Sequence, residues 1–353
     1  MLHQKIRYAV AVLVLTLLPA VRASAQEIYK ESEDLYSTRE IVSAEIPTDA
    51  GNHVSIESAS TLEGTVHITA DHGSTVRATY RKKARTDSQS KAIDYIDLIG
   101  LSFSRSPRGA TIQMRAPNPA PWQEKSEGGM VDLEVTVPVG SYLEFDARQF
   151  NLDIEGPVSG VIVPSSLGRI DIVDVDGVVD ITTANQKVSL DSIVGAISVV
   201  TSNARIDATN LKSRGQPGSF RNDGGDIMIE NYTGEISVRN NFGRISIQGL
   251  TPTGTKNYIR GMSEPIVLDI VDMQDARLTV TNQYEDIDLE VPRSLSALIS
   301  LAVEEGSTIE ATNLLVKPDL VESNRLYLIS GKGESTLTGS IQGRGNIYIQ
   351  GRE

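Results

Sequence analysis

Pairs of apolar residues two positions apart recur every nine residues through the middle of the chain. They are Leu143/Phe145, Leu152/Ile154, Val161/Val163, Ile170/Ile172, Val179/Ile181, Val188/Leu190, Ile197/Val199 and Ile206/Ala208. Each pair brackets one residue, in order Glu144, Asp153, Ile162, Asp171, Asp180, Ser189, Ser198 and Asp207. Alternation of apolar and polar positions over a few residues is the signature of a strand with one buried face. A helix cannot keep period two inside each unit and restart every nine residues.

Alternate corners differ, so the true unit is two strands and 18 residues. One corner carries Val175, Ile193 and Leu211, and the other carries Ser165-Ser166, Thr183-Ala184 and Thr201-Ser202. Arg169, Lys187 and Arg205 stand just before every second strand, and Gly168, Gly177 and Gly195 mark corners that favour a residue without a side chain. Strand, corner, strand, corner in this length is one coil of an all-β, two-sheet β-solenoid. The pattern returns as Ile227/Ile229, Ile236/Val238 and Ile245/Ile247. It then continues in looser coils through Ile266/Leu268, Leu278/Val280, Ile287/Leu289 and Ile309/Ala311, giving about 18–22 residues per coil. Asn210, Asn231 and Asn313 each precede an apolar corner residue, where asparagine tolerates a tight bend and can bond the next coil.

One coil buries too little to order itself, so stacking must stabilise the array and both ends need covers. Val54/Ile56, Val66/Ile68, Val76/Ala78/Tyr80, Ile112/Met114 and Val131/Leu133/Val135/Val137 are strand-like without the nine-residue period. Together with a short helix between Thr86 and Leu101 and a Pro-rich loop at 117–129, they are expected to form the first coils and cap, in residues 26–139. Residues 140–353 are expected to form the regular solenoid and a Gly-rich C-terminal cap, continuous with 40–139 as one domain.

Residues 1–25 read as a secretory signal peptide. Lys5 and Arg7 precede a short apolar run, and Ala23-Ser24-Ala25 is a small-x-small site that places cleavage between Ala25 and Gln26. The run is too short to span a bilayer. The expected location is therefore exported: periplasmic, cell-surface or extracellular. The absence of cysteine removes disulfides, thiolate metal sites and a cysteine nucleophile. A net charge of −13, which loss of the leader makes more acidic by three, disfavours nucleic acid.

Chemistry-bearing motifs are sparse. The three histidines outside the leader, His53, His67 and His72, have no companion nucleophile elbow, and there is no phosphate loop. The Gly-Gly-x-Gly-x-Asp corners that hold a calcium ladder do not recur, which leaves at most one incidental calcium site. No cofactor is expected. The candidate binding surface comprises Trp122 in the Pro-rich loop, the outward acids Asp171 and Asp207, and the basic column Arg169, Lys187 and Arg205. Both sheet faces are expected to be polar and acidic.

Gly168-Arg169-Ile170-Asp171-Ile172, Gly243-Arg244-Ile245-Ser246-Ile247 and the entry Val135-Thr136-Val137-Pro138-Val139-Gly140-Ser141-Tyr142-Leu143-Glu144-Phe145 resemble a bacterial secreted β-strand-repeat family. That family is labelled "putative adhesin" and is a domain of unknown function. The resemblance covers most of residues 40–351. Asn185-Gln186 and Asn203-Ala204 depart from it where glycine is expected. It implies an exported, non-enzymatic β-solenoid of the cell envelope and carries over no site residues. Expected partners are cell-surface carbohydrate or an envelope protein, with the chain a monomer. The competing readings are a polysaccharide-active enzyme working from Asp171 and Asp207, an envelope-stress signalling component, and a scaffold polymer resembling bactofilins.

Overall fold

The computed structural model describes residues 27–47, 52–123, 126–273, 275–315 and 320–352. The expected leader and its Ala25–Gln26 cleavage site lie outside them. Among the described residues no helix is long and apolar enough to cross a membrane.

The apolar pairs form parallel ladders, as their spacing requires. Ile170, Val188, Ile206, Ile227, Ile245, Ile266, Ile287 and Ile347 are successive register partners, and each is fully buried. On the opposite sheet Ile181 pairs with Val199, and that ladder continues through Phe220, Val238, Ile259 and Val280. Side chains from both sheets meet in one dry interior, each large aliphatic contributing about 1.5–3 kcal/mol. The longer late coils keep register, with Ile245 opposite Ile266 and Ile266 opposite Ile287.

Two corner devices recur along the stack. At the apolar corner one residue turns left-handed: Asp174, Ser192, Asn210 and Asn231 have φ of 62°, 58°, 56° and 57°. The bend drives the next side chain, Val175, Ile193, Leu211 or Tyr232, into the core. Asn231 donates to Asn210 and Asn210 to Asp191, both at 3.1 Å, so the bends are tied coil to coil. At the other corner buried asparagines bond backbone carbonyls. Asn222 donates to Ala204 and Gly225, and Asn282 to Glu264 and Glu285. Gly195 is required because a Cβ there would lie 1.8 Å from the Gly177 carbonyl oxygen. Where the coil lengthens before Gly218, Phe220 and Tyr232 fill the wider core edge to face, and the Tyr232 hydroxyl donates to the Glu235 carbonyl at 2.7 Å.

The ends depart from sequence order. At the start, His53–Ser58 and Leu62–Asp71 form a coil that lies between two others. On one side is the coil of Gly109–Arg115 and Gly128–Pro138; on the other is the coil of Tyr142–Asp146 and the first half of Phe150–Ser166. At the finish, Ser335–Ile341 pairs with both Arg277–Asn282 and Ala297–Ala302. Ile347–Arg352 likewise pairs with both Ile287–Pro292 and Ile309–Thr312. The last coil is therefore inserted between the two that precede it. The cover at that end is the antiparallel pair Leu320–Glu322 and Arg325–Ser330 laid against Ala297–Ala302. At the start, antiparallel strands Gly100–Ser106 and Thr75–Arg85 cover the outer coil. Antiparallel covers suit this place because they end the ladder that would otherwise recruit another chain.

The helix Gln89–Leu98, capped by Ser88, seals the opening end with the Pro-rich loop. Trp122 corrects its expected role there. It is 3% exposed, its ring lies against Gly129 and 5.2 Å from Tyr95, and its indole N–H donates to the Thr61 carbonyl. A ring this buried plugs the end of the stack and offers no anchor to a partner. Glu127 clamps the plug, accepting from Tyr95 at 2.5 Å and from Thr86 and Lys91 at 3.1 Å. The Tyr95 phenol most of all holds the Glu127 carboxyl down at about 2, against the upward pull of burial. Burial, then Glu127, pushes Tyr95 up to about 12. Because the unfolded carboxyl ionises near 4.5, the clamp's contribution is complete above that pH and is lost as pH falls toward 2. The tyrosine's share disappears as pH rises from 10 to 12. Trp122, the only tryptophan, reports on this directly. Its emission is expected to shift on acidification below pH 4.5 in the native chain. Glu127→Gln should lose that acid-dependent component, and an unchanged acid profile in this variant would remove the clamp from the account.

Candidate functional site

The two sheet faces of the solenoid have opposite character, which corrects the expectation that both are acidic. The face bearing Ile170 and its partners presents Asp153, Asp171 and Asp207 at its centre and Asp269, Asp288 and Glu290 further along. The opposite face, from Ser198 onward, presents Ser219, Ser237, Tyr258 and Thr279 in one column, with Arg221, Arg239, Arg260 and Thr281 beside them.

The structure brings the expected charged residues together, and it uses them on each other. Arg169 bridges Asp153 at 3.0 Å and Asp171 at 2.9 Å. Lys187 and Arg205 converge on Asp207 at 2.7 and 2.6 Å. Burial pushes the Asp207 carboxyl up, but Lys187 and Arg205 outweigh it and hold it low. Asp153 is raised by burial and by the neighbouring Asp171, despite Arg169. A carboxylate flanked by two cations is a poor proton donor, and the column lies on an open, flat stretch of sheet. These residues form a cross-strand ion ladder, each pair worth about 0.2–1 kcal/mol.

Beginning two coils beyond Asp207, the same face dips into a groove of about 390 Å³. Gln248, Asp269, Glu290 and Gln350 line one side, and Asp288 and Tyr348, with Val267 at the floor, line the other. Register sets this arrangement. Asp269 lies opposite Glu290 and Glu290 opposite Gln350, while Val267 lies opposite Asp288 and Asp288 opposite Tyr348. Tyr348 and Gln350 come from the inserted last coil, so the groove exists only because that coil is in place. Asp269 is held from both ends. One oxygen meets Arg352 at 2.7 Å, and the other accepts the Gly249 amide at 3.1 Å. Among the described residues no hydrogen bond or ion pair holds Asp288, and Arg244 acts on it only through its charge. Burial first, then repulsion from Asp286, raises its carboxyl above the ordinary range. The sequence carries this site as Asp-x-Glu at 288–290 facing Tyr-x-Gln at 348–350, a juxtaposition visible only once the pairing order is known.

Among the described residues no group of three or more acids or histidines is arranged to hold a metal ion. Of the histidines, His53 contacts Glu144 at 3.3 Å and stacks on Tyr142, and His67 stands in the outward column between Glu134 and Asp153. A wider hollow of about 540 Å³ at the opening end has Trp122 in its wall. The Arg85–Glu63 ion pair, at 2.9 Å, forms another part of its wall.

This architecture defines a class, an all-β solenoid with polar, chemically distinct faces. Known protein families and curated proteins provide no match to the chain. Three solved structures similar to it come from bacteria. "A putative adhesin" from Parabacteroides merdae is 8% identical, with 88% of this chain and 96% of that one covered and a TM-score of 0.35. "A putative cell adhesion protein" from Clostridium sporogenes is 7% identical, with 89% and 99% covered and a TM-score of 0.20. "A putative adhesin" from Bacteroides fragilis is 10% identical, with 88% and 98% covered and a TM-score of 0.22. At these scores none of the three assigns a function to this chain, and its chemistry rests on its own residues.

Proposed function

We propose that the protein is an exported, non-catalytic binding module of the bacterial cell envelope, and that the groove between Gln248 and Gln350 holds a segment of surface carbohydrate. The observation that carries this reading is the groove's lining. Carboxylates, amides and a phenol above an aliphatic floor present acceptors and donors to hydroxyl groups and an apolar patch to a sugar's C–H face. Fixed by ladders on either side, these groups pay little ordering entropy on binding. One observation favours a second reading, glycoside hydrolysis. Asp288 is the kind of raised carboxyl that serves as a general acid, and Glu290 stands on the same side of the same strand.

A glycan array with the purified protein and its Gln350→Ala and Asp288→Asn variants separates the two. Binding that Gln350→Ala weakens at least about tenfold, with no release of reducing ends, is the expected result. Release of reducing ends that Asp288→Asn abolishes would replace binding with hydrolysis. No saccharide bound by the native chain would reject both.

A further inference from the structure

On the face opposite the groove, Arg221 is the register partner of Arg239, and Arg239 of Arg260. Neighbouring strands are about 4.8 Å apart, so three guanidinium groups climb the solenoid axis at that rise. All three are exposed, and among the described residues none of the three guanidinium groups has a hydrogen bond or ion pair, unlike Arg169, Lys187 and Arg205 on the other face. Like charges directly opposite one another destabilise a sheet. An uncompensated ladder of them in a chain of net charge −13 is thus a cost with no structural return.

The surroundings complete a surface suited to a ligand. Among the described residues the three most exposed aromatic side chains are Phe242, Tyr284 and Tyr258, at 63%, 52% and 51%, and they lie on the ladder's own strand or at the corner that follows it. Tyr258 is two residues before Arg260 on the same strand face. Phe242 and Tyr284 occupy the adjoining corner, where the Phe242 amide donates to Asp223 and the Tyr284 amide to Met262. The Tyr284 ring lies close against Gly343, and its hydroxyl accepts from Gln283 at 2.8 Å, so it is held in place. Between Arg239 and Arg260 a hollow of about 200 Å³ opens beside Thr281, Gln283 and Gln342.

We propose that this ladder binds an acidic polysaccharide lying along the solenoid axis. Its carboxylate or sulfate groups would sit on the guanidinium forks, and its sugar rings on Phe242, Tyr258 and Tyr284. Arginine's planar fork matches both oxyanions bidentately. The rise per coil is comparable to the advance of one sugar along an extended chain, so successive arginines meet successive residues of a linear polymer. The Ser237 and Thr279 hydroxyls beside the ladder match sugar hydroxyls. Screening confines each charge to about 8 Å at physiological salt, so the patch acts on its own face despite the acidic remainder. The site shares no residue with the groove.

The test measures binding of the purified full chain to polygalacturonate, dextran sulfate, neutral dextran and a single-stranded oligonucleotide. Expected are binding to one or both acidic polymers, none to dextran, and affinity that falls as salt rises. The tighter of the two acidic polymers identifies the anion. The combined variant Arg221→Gln, Arg239→Gln, Arg260→Gln should weaken that binding at least about tenfold, whereas Arg39→Gln, an exposed arginine at the opening end outside both sites, should leave it unchanged. The three positions are exposed, so the variant's melting profile should match the native one and exclude unfolding as the cause. Undiminished binding in the triple variant, equal binding of dextran, or tighter binding of the oligonucleotide than of either polymer would overturn the proposal.

Discussion

Ending the chain after Glu334 is expected to collapse the closing end of the solenoid. Residues 335–352 are the middle of a three-coil sandwich, paired on one side with Arg277–Asn282 and Ile287–Pro292 and on the other with Ala297–Ala302 and Ile309–Thr312. Their removal strips four strands of a partner and uncovers the buried Leu278, Ile287 and Ile299. Unpaired parallel edges template pairing with other chains, so the truncated protein should aggregate and lose most of its soluble yield. Protease should cut it readily beyond about Arg277, while the coils from Leu143 to Ile247 stay resistant, because each coil depends chiefly on its neighbours. A truncated protein as soluble and resistant as the full chain would show the last coil to be a dispensable tail.

A comparably large effect is expected from Ile206→Asp. Ile206 is fully buried between Val188 and Ile227 in the central column. Among the described residues no lysine, arginine or histidine is buried in that interior, so a carboxylate there must either stay charged in an apolar medium or bind a proton. The loss should exceed about 4 kcal/mol, enough to unfold the coils around it. One position along the strand, Asp207→Asn removes the charge that holds Lys187 and Arg205 and should cost no more than about 1 kcal/mol. Denaturant titration followed by circular dichroism compares the two. Similar midpoints would mean that neighbouring positions do not alternate between core and solvent.

The contrast between those two residues explains why the central coils were legible in the sequence. A period of two inside a period of nine leaves each side chain only one face, and the steps from Ile170 to Ile245 predict the observed register. The asparagine bends at Asn210 and Asn231 were legible too, because few other residues tolerate a left-handed corner that must also bond the next coil. The order of coils at the ends was not. Ile287/Leu289, Ile309/Ala311 and Ile347/Ile349 present equivalent apolar pairs, and spacing along the chain puts Ile309 next to Ile287. The structure puts Ile347 there, because Ala297–Ala302 and its antiparallel cover take the outer position. Everything that depends on this order, including Asp288 facing Tyr348 across the groove, was hidden with it.

The charged columns divide in the same way. Arg169, Lys187 and Arg205 stand out by their regular spacing but satisfy the acids beside them. Arg221, Arg239 and Arg260 follow steps of 18 and 21 and were equally visible, each at a strand end. What local sequence does not show is which arginines lack an acid, since that depends on residues one coil away on either side. Trp122 misleads for a related reason. A Pro-rich loop suggests exposure, yet the open end of a solenoid must be plugged, and the largest ring in the chain fills it.

Cysteine cross-linking tests the stacking order most directly, because the chain has no cysteine of its own. Thr338 lies opposite Thr279 on one side and Ser300 on the other, within the reach of a disulfide between adjacent strands. The double variants T279C/T338C and S300C/T338C should each oxidise to an intramolecular disulfide, while T279C/S300C, two coils apart, should keep free thiols. A disulfide in T279C/S300C, with none in the other two, would contradict the inserted last coil and the groove built upon it.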